Sequence, residues 1–265
     1  MAERTRIVLK SGKDQSLRRF HPWVFSGAIK KIYGPAREGE IVDLYDNKDE
    51  YLATGHYQDG SIAVRVLSFA PLEVDQQFWD EKIENAWKLR DTLGLVSDPG
   101  TNVFRWVNAE GDGLPGLIID YYGGAVVIQM HSIGMFRQLD AIRDAILGLK
   151  DLKVDTIYHK SGNTLPKRDT LEVRDELILG EREEGEVEEY GLKFSVNWKR
   201  GQKTGFFIDQ RENRKLVEYM SAGRRVLNMF CFSGGFSVYA VRGGAELVHS
   251  VDSSGHAIDL TRLNI

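Results

Sequence analysis

Residues 225–236 read RVLNMFCFSGGF, and this stretch decides the fold of the last part of the chain. Arg225–Phe230 is mostly apolar and predicts a buried strand, which runs directly into the paired glycines Gly234-Gly235. An apolar helix follows, and Leu247–Val251 then predicts a second strand that ends at Asp252. The order strand, glycine turn, helix and strand predicts the beginning of a Rossmann-like α/β unit.

The same stretch has the features of a nucleotide site. Paired glycines let the backbone approach a ligand, a helix N-terminus offers free N–H groups, and an acid after the second strand can bind ribose hydroxyls. A dinucleotide fingerprint requires G-x-G-x-x-G, whereas Phe232 stands two residues before Gly234. The compact turn, with Asn228 inside the strand and a helix predicted at 210–220 before it, favours S-adenosylmethionine over a dinucleotide.

A second polar segment precedes this unit. Lys199–Gly205 reads KRGQKTG, but Gln202 interrupts the contiguous Gly-Lys-Ser/Thr that a phosphate-binding P-loop requires, which excludes ATP or GTP hydrolysis. The polar run Asp209–Arg211 then begins the predicted helix. Asp209 followed by Glu212 also fits a capping box, which is a purely structural alternative for this aspartate.

The first 37 residues carry nine basic and two acidic side chains, a net charge of +7 in a chain whose net charge is −4. Short β-branched or alternating runs between residues 6 and 67 predict a small β-barrel. We expect an anion-binding face there with RNA as the partner, and a solvated basic surface is the alternative. Trp23 and Phe25 are predicted to pack in the core. The residues predicted to contact RNA are Lys10, Arg18, Arg19, Lys30 and Lys31.

The middle of the chain predicts an α+β unit. Apolar residues at helical spacing from Trp79 to Trp87 predict a helix that Gly94 ends. Strands are predicted at 102–107, 116–121, 125–131, 154–159 and 171–173, with a second helix closed by Gly148. The glutamate-rich segment 181–189 is predicted to be a solvated link leading into a hairpin. The predicted domains are therefore 1–71, 72–180 and 181–265.

Composition excludes several classes of protein. Cys231 is the single cysteine, which excludes an internal disulfide framework and a multi-cysteine zinc site. No window approaches the roughly 18 uninterrupted apolar residues of a membrane span. The start, Met1–Arg6, lacks the apolar core of a signal peptide, so a cytoplasmic protein is expected.

With these motifs identified, the whole chain resembles the large-subunit ribosomal RNA methyltransferase I family, whose members are S-adenosylmethionine-dependent cytosine-5 methyltransferases. The motifs that match, in the family's order, are His21–Phe25 (HPWVF), Asn108–Gly116 (NAEGDGLPG), Lys203–Arg211 (KTGFFIDQR) and Val226–Phe236 with Asp252. The resemblance implies an N-terminal PUA domain, a central α+β domain and a C-terminal Rossmann-like methyltransferase domain. The residues predicted to line the cofactor site are Asp209, Arg211, Asn228, Phe230, Ser233, Gly234, Gly235, Phe236, Asp252 and Ser253.

The resemblance also implies large-subunit ribosomal RNA as substrate and a cysteine thiolate that adds to cytosine C6 before methyl transfer. Cys231 lies in the cofactor turn and is predicted to be a packing residue. We therefore expect the catalytic residues beyond Ile265, an incomplete methyltransferase domain within these residues, and an inactive chain with weak cofactor affinity. Methylation of another RNA base is one alternative function, and a non-catalytic RNA-binding protein is a second. A homodimer is a further expectation.

Overall fold

The N-terminal strands form a curled six-stranded sheet. A computed structural model describes residues 4–150, 152–168 and 171–265. The elements of this first unit are β1 (Thr5–Leu9), α1 (Gln15–Arg18), β2 (Trp23–Phe25), β3 (Ile29–Tyr33), β4 (Ile41–Tyr45), β5 (Tyr51–Tyr57) and β6 (Ile62–Ser68). The strand order is β2-β6-β5-β4-β1-β3, with β1 and β4 parallel and the other pairs antiparallel. Alternate residues such as Val42 and Leu44 point into a single apolar core.

The HPWVF motif contains strand β2, and its aromatic residues do not fill the core of the first unit. Val24 is buried, but Phe25 is 51% exposed and Trp23 is half-buried, so the predicted core role of Phe25 is wrong. The Trp23 indole Nε1 instead donates to Glu110 Oε1 at 2.8 Å. Tryptophan is well suited to a contact between two units, because its ring packs against other groups while its indole N–H requires a hydrogen-bond acceptor. The motif therefore connects the first unit to the second.

A five-stranded sheet with two long helices forms the second unit. Its elements are α2 (Gln76–Thr92), β7 (Val103–Asn108), β8 (Leu117–Tyr122), β9 (Ala125–Met130), α3 (Ile133–Phe136), α4 (Leu139–Leu147), β10 (Thr156–His159) and β11 (Glu176–Leu179). Asp75 caps α2 by accepting from Phe78 N, and Gly94 follows its end with φ 76°. The strand order is β11-β10-β9-β8-β7. One face of this sheet packs against α2 and α4 in the largest core.

The strand predicted at 171–173 is wrong. The fifth strand is β11, which pairs antiparallel with β10 so that His159 faces Glu176. Residues 171–175 form the return between the two strands, and the Asp175 carboxylate accepts from Gly162 N at 2.7 Å to hold that return. Apolar residues in this connection resemble a strand in sequence, but in the described part of the chain Leu171 makes only an isolated bridge to Arg168 and β10 pairs with β11 instead.

A hairpin covers the other face of the second sheet. Its strands are β12 (Glu184–Glu189) and β13 (Leu192–Asn197), so the predicted hairpin is present and β12 begins within the segment predicted to be a solvated link. Val187, Phe194 and Trp198 pack with Val103 and Tyr122 in a second core. The prediction that residues 181–189 are solvated is wrong at its end, because Glu189 has no exposed surface.

The C-terminal part contains the predicted strand, helix and strand. Its elements are α5 (Arg211–Met220), β14 (Arg225–Met229), α6 (Gly235–Arg242), β15 (Leu247–Val251) and α7 (Gly255–Asn264). β14 and β15 are parallel, and Ser254 caps α7, a helix that the sequence analysis did not predict. β14 is not buried as predicted, because Leu227 is 63% and Met229 is 49% exposed. The predicted architecture, an N-terminal β unit, a central α+β unit and a C-terminal strand–helix–strand unit with parallel strands, is confirmed.

Candidate cofactor-binding site

The Phe230–Phe236 turn and Asp252 meet at one edge of the β14–β15 pair. Met229 pairs with Val251 in parallel register, so both strands end at the same edge. Cys231 N donates to Val251 O at 3.1 Å, and Phe232 N donates to Asp252 Oδ2 at 3.1 Å. The crevice outside the carboxyl ends of parallel strands is where α/β sheets bind ligands. The geometry therefore places the predicted turn and the predicted acid in one candidate site.

The turn has a left-handed backbone at three positions. Phe230, Phe232 and Gly234 have φ of 57°, 48° and 76°. Residues other than glycine are uncommon in this region, and they concentrate at functional sites. A Cβ on Gly234 would stand 2.7 Å from Thr261 Cγ2, so α7 leaves no room for a larger residue there. The glycine is thus required both by the backbone conformation and by the packing behind it.

Asp252 is prepared to act as a negatively charged acceptor. Hydrogen bonds from the backbone N–H groups of Ser254 and Phe232 lower its pKa, so the carboxylate is ionised at neutral pH. A carboxylate has about four lone-pair sites, and two remain for a ligand hydroxyl pair. Ser253 is exposed beside it. This arrangement suits the ribose of a nucleoside.

The other predicted residues of the turn divide between its surface and its interior. Phe230 is 84% exposed and Phe236 is half-buried, whereas Ser233, Gly234 and Gly235 are buried. The carbonyl oxygen of Ser233 accepts from Asn264 Nδ2 at 2.8 Å, which fixes the turn against α7. The turn is therefore held against α7, and it exposes the aromatic ring of Phe230 to solvent.

Asn228 lies beneath α6. Its Nδ2 donates to Ser237 Oγ at 2.8 Å, and Ser237 Oγ in turn lies 2.7 Å from Ser250 Oγ. These bonds join β14, α6 and β15 to one another. The structure thus gives the Asn228 amide a structural contact, which does not support the predicted cofactor role.

Arg211 is separated from the turn by its own partners. It is buried, its Nε lies 3.3 Å from Glu189 Oε2, and its Nη2 donates to the carbonyl oxygen of Val103. The guanidinium therefore stabilises the second core, and this placement argues against the predicted cofactor role. Asp209 is exposed, and α5 begins after Gln210 with no side-chain cap, so the capping-box alternative for Asp209 is wrong.

Cys231 has the environment of a packing residue. It is 6% exposed, and its Sγ lies 3.5 Å from Thr261 Oγ1. Thr261 Oγ1 also donates to the carbonyl oxygen of Phe232 at 3.0 Å. The thiol is thus enclosed between the turn and α7, as the sequence analysis expected.

An aromatic contact that the sequence analysis did not single out joins the turn to the Lys203–Arg211 motif. The rings of Phe207 and Phe232 meet edge to face with centroids 5.2 Å apart, and Lys203 Nζ lies 5.0 Å from the Phe207 centroid. Both phenylalanines stand within quoted motifs, but their contact depends on long-range packing. The motif is therefore adjacent to the candidate site.

The residues predicted to contact RNA fall into two groups. Lys10, Lys30 and Lys31 are exposed and lie on or beside the paired strands β1 and β3. Arg19 is exposed on the end of α1. Arg18 is bonded to three carboxylates, at Asp14, Asp46 and Glu50, and the hydrogen bonds to Asp14 and Glu50 raise its pKa. Its charge is already compensated, so the predicted RNA contact is not supported for Arg18.

Neither a metal centre nor a membrane segment is found in the part of the chain that the structure describes. No group of three or more His, Cys, Asp or Glu side chains within residues 4–150, 152–168 and 171–265 could hold a metal ion. Across the same ranges, every helix is too short or too polar to cross a bilayer.

Known proteins share both the sequence and the fold. Residues 7–69 match a PUA-like domain, and residues 108–264 match the S-adenosylmethionine-dependent methyltransferase family. Curated proteins named ribosomal RNA large subunit methyltransferase I are 38% identical over 264 residues in Escherichia coli and 41% over 266 residues in Photobacterium profundum. The chain spans 66% of the length of each of these relatives, which in turn cover 98% of the chain.

Solved structures agree on the fold. A candidate S-adenosylmethionine-dependent methyltransferase from Streptococcus mutans superimposes with a TM-score of 0.83 at 23% identity, over 98% of this chain and 66% of that one. A candidate methyltransferase solved with S-adenosylhomocysteine superimposes with a TM-score of 0.84, over 98% of this chain and 65% of that one. The resemblance identified from the motifs is therefore confirmed, and the chain belongs to the S-adenosylmethionine-dependent methyltransferase family.

Proposed function

We propose that this chain forms the RNA-binding and cofactor-binding part of an enzyme that methylates cytosine C5 in large-subunit ribosomal RNA. The observation that supports it most is the hydrogen bond from Phe232 N to Asp252 Oδ2, because it joins the turn after β14 to the acid after β15. The substrate is carried over from the relatives in Escherichia coli and Photobacterium profundum, whose names specify large-subunit ribosomal RNA. We further propose domain limits at 1–71, 72–180 and 181–265, which fall between β6 and α2 and between β11 and β12.

The residues of the site fit S-adenosylmethionine. The cofactor supplies an electrophilic methyl group on a sulfonium sulfur. Asp252 would accept hydrogen bonds from the two ribose hydroxyls. The Ser233–Gly235 turn leads directly into α6, and the backbone N–H groups at this helix start would bind the amino-acid tail. The exposed ring of Phe230 offers an apolar surface beside them. These residues bind and orient the cofactor.

Cytosine methylation at C5 requires a nucleophile that these residues do not offer. Attack on C6 needs an accessible thiolate, and the only cysteine of the sequence, Cys231, is 6% exposed. We therefore propose that residues 1–265 by themselves do not turn over. We also propose that they bind the cofactor weakly, because the described residues give β14 and β15 only one another as sheet partners and leave one face of the pair exposed.

Calorimetric titration of the chain with S-adenosylhomocysteine tests the cofactor site. Replacing Asp252→Ala removes a charged acceptor, and hydrogen bonds to charged groups contribute about 1.5–3 kcal/mol, so affinity is expected to fall at least about 10-fold. Asp259→Ala is the matched control, because Asp259 is exposed on α7 and pairs only with Arg262 in the described ranges. Equal affinities of the Asp252→Ala variant and the unchanged chain would show that the site lies elsewhere.

Methyl transfer is tested with the natural protein that carries this chain. Large-subunit ribosomal RNA is incubated with methyl-labelled cofactor, and the modified nucleotide is mapped by mass spectrometry. We expect 5-methylcytosine. A methyl group on another base contradicts the proposed target atom, and RNA binding without any transfer favours the non-catalytic alternative.

A further inference from the structure

A cavity of about 540 Å³, lined mostly by polar and charged residues, opens beside the Lys203–Arg211 motif. It lies between one end of the central sheet and the loop that follows β13. The residues that line it are Arg105, Ile118, Gln129, His131, Lys160, Asn163, Thr164, Asp175, Gly201, Gln202 and Lys203. The cofactor site described above uses none of them, so the cavity has no role assigned to it.

One arginine and two lysine side chains line the cavity. Arg105 is neutralised by Asp120, with Nε–Oδ1 at 2.9 Å and Nη2–Oδ2 at 3.1 Å. Lys160 is half-buried and donates to two carbonyl oxygens, those of Trp198 and Gly201. Lys203 is exposed and its ammonium lies over the Phe207 ring. Two ammonium groups and one carboxylate, that of Asp175, therefore face a space large enough for a nucleotide.

The fixed position of Lys160 favours an anionic ligand. Carbonyl oxygens orient its ammonium but do not neutralise it, and burial lowers its pKa. A phosphate oxygen in the cavity would compensate the charge and offset this burial. The amide and hydroxyl groups of Gln129, Asn163 and Thr164 supply further polar contacts for a base or a sugar.

The cavity is next to the cofactor turn. Lys203 lies over Phe207, and Phe207 contacts the ring of Phe232, whose N–H donates to Asp252. The rings of Phe207 and Phe232 thus lie between Lys203 in the cavity wall and the turn. A strand of RNA bound here can place an adjacent nucleotide at the turn.

The cavity also lies at the end of the central sheet that is near the N-terminal unit. Asn108 pairs with Ile118, and Ile118 pairs with Gln129, so these residues form a row across the ends of three neighbouring strands. Glu110, two residues past the end of β7, receives the hydrogen bond from Trp23 of the HPWVF strand. A bound strand can therefore extend from the PUA-like unit across the cavity to the cofactor turn.

We propose that this cavity binds a phosphodiester-linked nucleotide of the single-stranded RNA substrate, held by the ammonium groups of Lys160 and Lys203. This inference rests on the proposed function in RNA methylation. Single strands are the form in which bases are accessible to an enzyme that modifies them, and phosphate contacts set their register. The cavity is then the subsite that positions the strand beside the target.

The test uses the 265-residue chain and a labelled single-stranded RNA of about 20 nucleotides carrying a large-subunit ribosomal sequence. Affinity is measured by fluorescence anisotropy across a range of salt concentrations without cofactor. Lys203→Gln is expected to weaken binding about 3- to 10-fold and to reduce the slope of log K against log salt by about 0.7, the value for one lost phosphate contact with a single strand. Gln202→Glu, which adds a negative charge at the same wall, is expected to weaken binding by at least about 3-fold.

Lys199→Gln is the matched control. Lys199 lies in the same segment and its loss changes the net charge equally, but its ammonium is bonded to Glu183 and it does not line the cavity. We expect its affinity and its salt slope to match those of the unchanged chain, with circular dichroism confirming that all variants fold. If Lys203→Gln and Lys199→Gln have the same effect, the cavity is not the subsite although the proposed function stands. If the unchanged chain binds no RNA, the proposed function fails together with this inference.

Discussion

Two regions of the C-terminal half differ in which side chains they bury: one buries charged groups and the other exposes apolar ones. Glu189 has no exposed surface, and Arg214 is 2% exposed beside it. By contrast, one face of the β14–β15 pair presents Leu227 and Met229 to solvent, at 63% and 49% exposure. Their neighbours on β15, Leu247 and Val251, are 39% and 42% exposed. Charges are inside in the first region, and apolar groups are outside in the second.

The buried charges are acceptable because each of their hydrogen-bonding groups has a partner. Glu189 Oε1 accepts from Arg214 Nε at 2.8 Å and from Tyr239 Oη at 2.9 Å, while Oε2 accepts from Arg214 Nη2 at 2.7 Å. Burial, together with the Glu189 charge, raises the pKa of Tyr239 far above its usual range, which keeps the phenol a donor. The Arg214 guanidinium also stacks 4.5 Å from the Phe206 centroid.

The apolar face of the β14–β15 pair is exposed because, among the described residues, it lacks groups to pack against. In the described part of the chain, β14 pairs only with β15, and α6 covers the face that carries Val226 and Asn228. A parallel sheet normally has both faces covered. In these two regions, burial therefore depends on which groups surround a side chain and not on the polarity of the side chain alone.

The largest effect is expected from breaking the charged cluster. Glu189→Ala leaves the Arg211 and Arg214 guanidinium groups buried without a carboxylate, which typically costs about 3–5 kcal/mol. The free energy of unfolding, measured in urea, should fall by that amount. Glu186→Ala on the same strand is the control, because Glu186 pairs with Lys193 at the surface and such changes stay within about 0.5 kcal/mol. A loss below about 1 kcal/mol for Glu189→Ala would contradict the role assigned to the cluster.

A smaller effect is expected from a buried polar group that lacks partners. Neither ring nitrogen of His56 has a hydrogen-bond partner within the described ranges, and burial lowers its pKa to about 3. The unfolded chain binds a proton near pH 6.5, whereas the folded chain does not, so stability is lost as pH falls from about 6.5 toward 3.

The loss attributable to His56 approaches about 1.4 kcal/mol per pH unit below pH 6. Unfolding in urea at pH 7.0, 6.0 and 5.0 measures it, with His56→Gln as the comparison. Because glutamine does not titrate, the variant should lose less stability than the unchanged chain between pH 6 and pH 5. Parallel curves for the two proteins would show that His56 binds protons equally in the folded and unfolded chains, which would contradict the pKa lowered by burial.

The smallest effect is expected on the exposed sheet face. Leu227→Lys should change the free energy of unfolding by no more than about 0.5 kcal/mol, because its side chain lies in solvent. Val226→Lys on the same strand faces α6 and should cost about 1–3 kcal/mol. Size-exclusion chromatography at high concentration should show less self-association for Leu227→Lys. Equal destabilisation by both lysines would mean that both faces of β14 are covered.

Most of the fold could be predicted from local patterns. Four of the six N-terminal strands, the first central helix and the β12–β13 hairpin follow from alternation, helical spacing and turn residues. β2 and β3 do not follow from such patterns, and β2 is only three residues long and directly follows Pro22. The partner of Trp23, Glu110, is 87 residues away in the chain, and no local pattern reports such a contact.

The cofactor site could be predicted only in part. The glycine turn and Asp252 were predicted because the order strand, turn, helix, strand brings them together in any Rossmann-like unit. Asn228 and Arg211 were placed in the site because they lie in the same motifs. Their side chains instead contact Ser237 and Glu189, and such partners are chosen by packing.

The sequence by itself determined the order of most elements, the position of the glycine turn and the family of the protein. These depend on residues close together in the chain, where hydrophobic period and backbone preference act locally. Only the tertiary structure decided that Glu189 is buried, that Leu227 is exposed and that Lys160 and Lys203 face one cavity. Each of these depends on neighbours far along the chain, because burial and ion pairing are set by what surrounds a side chain after folding.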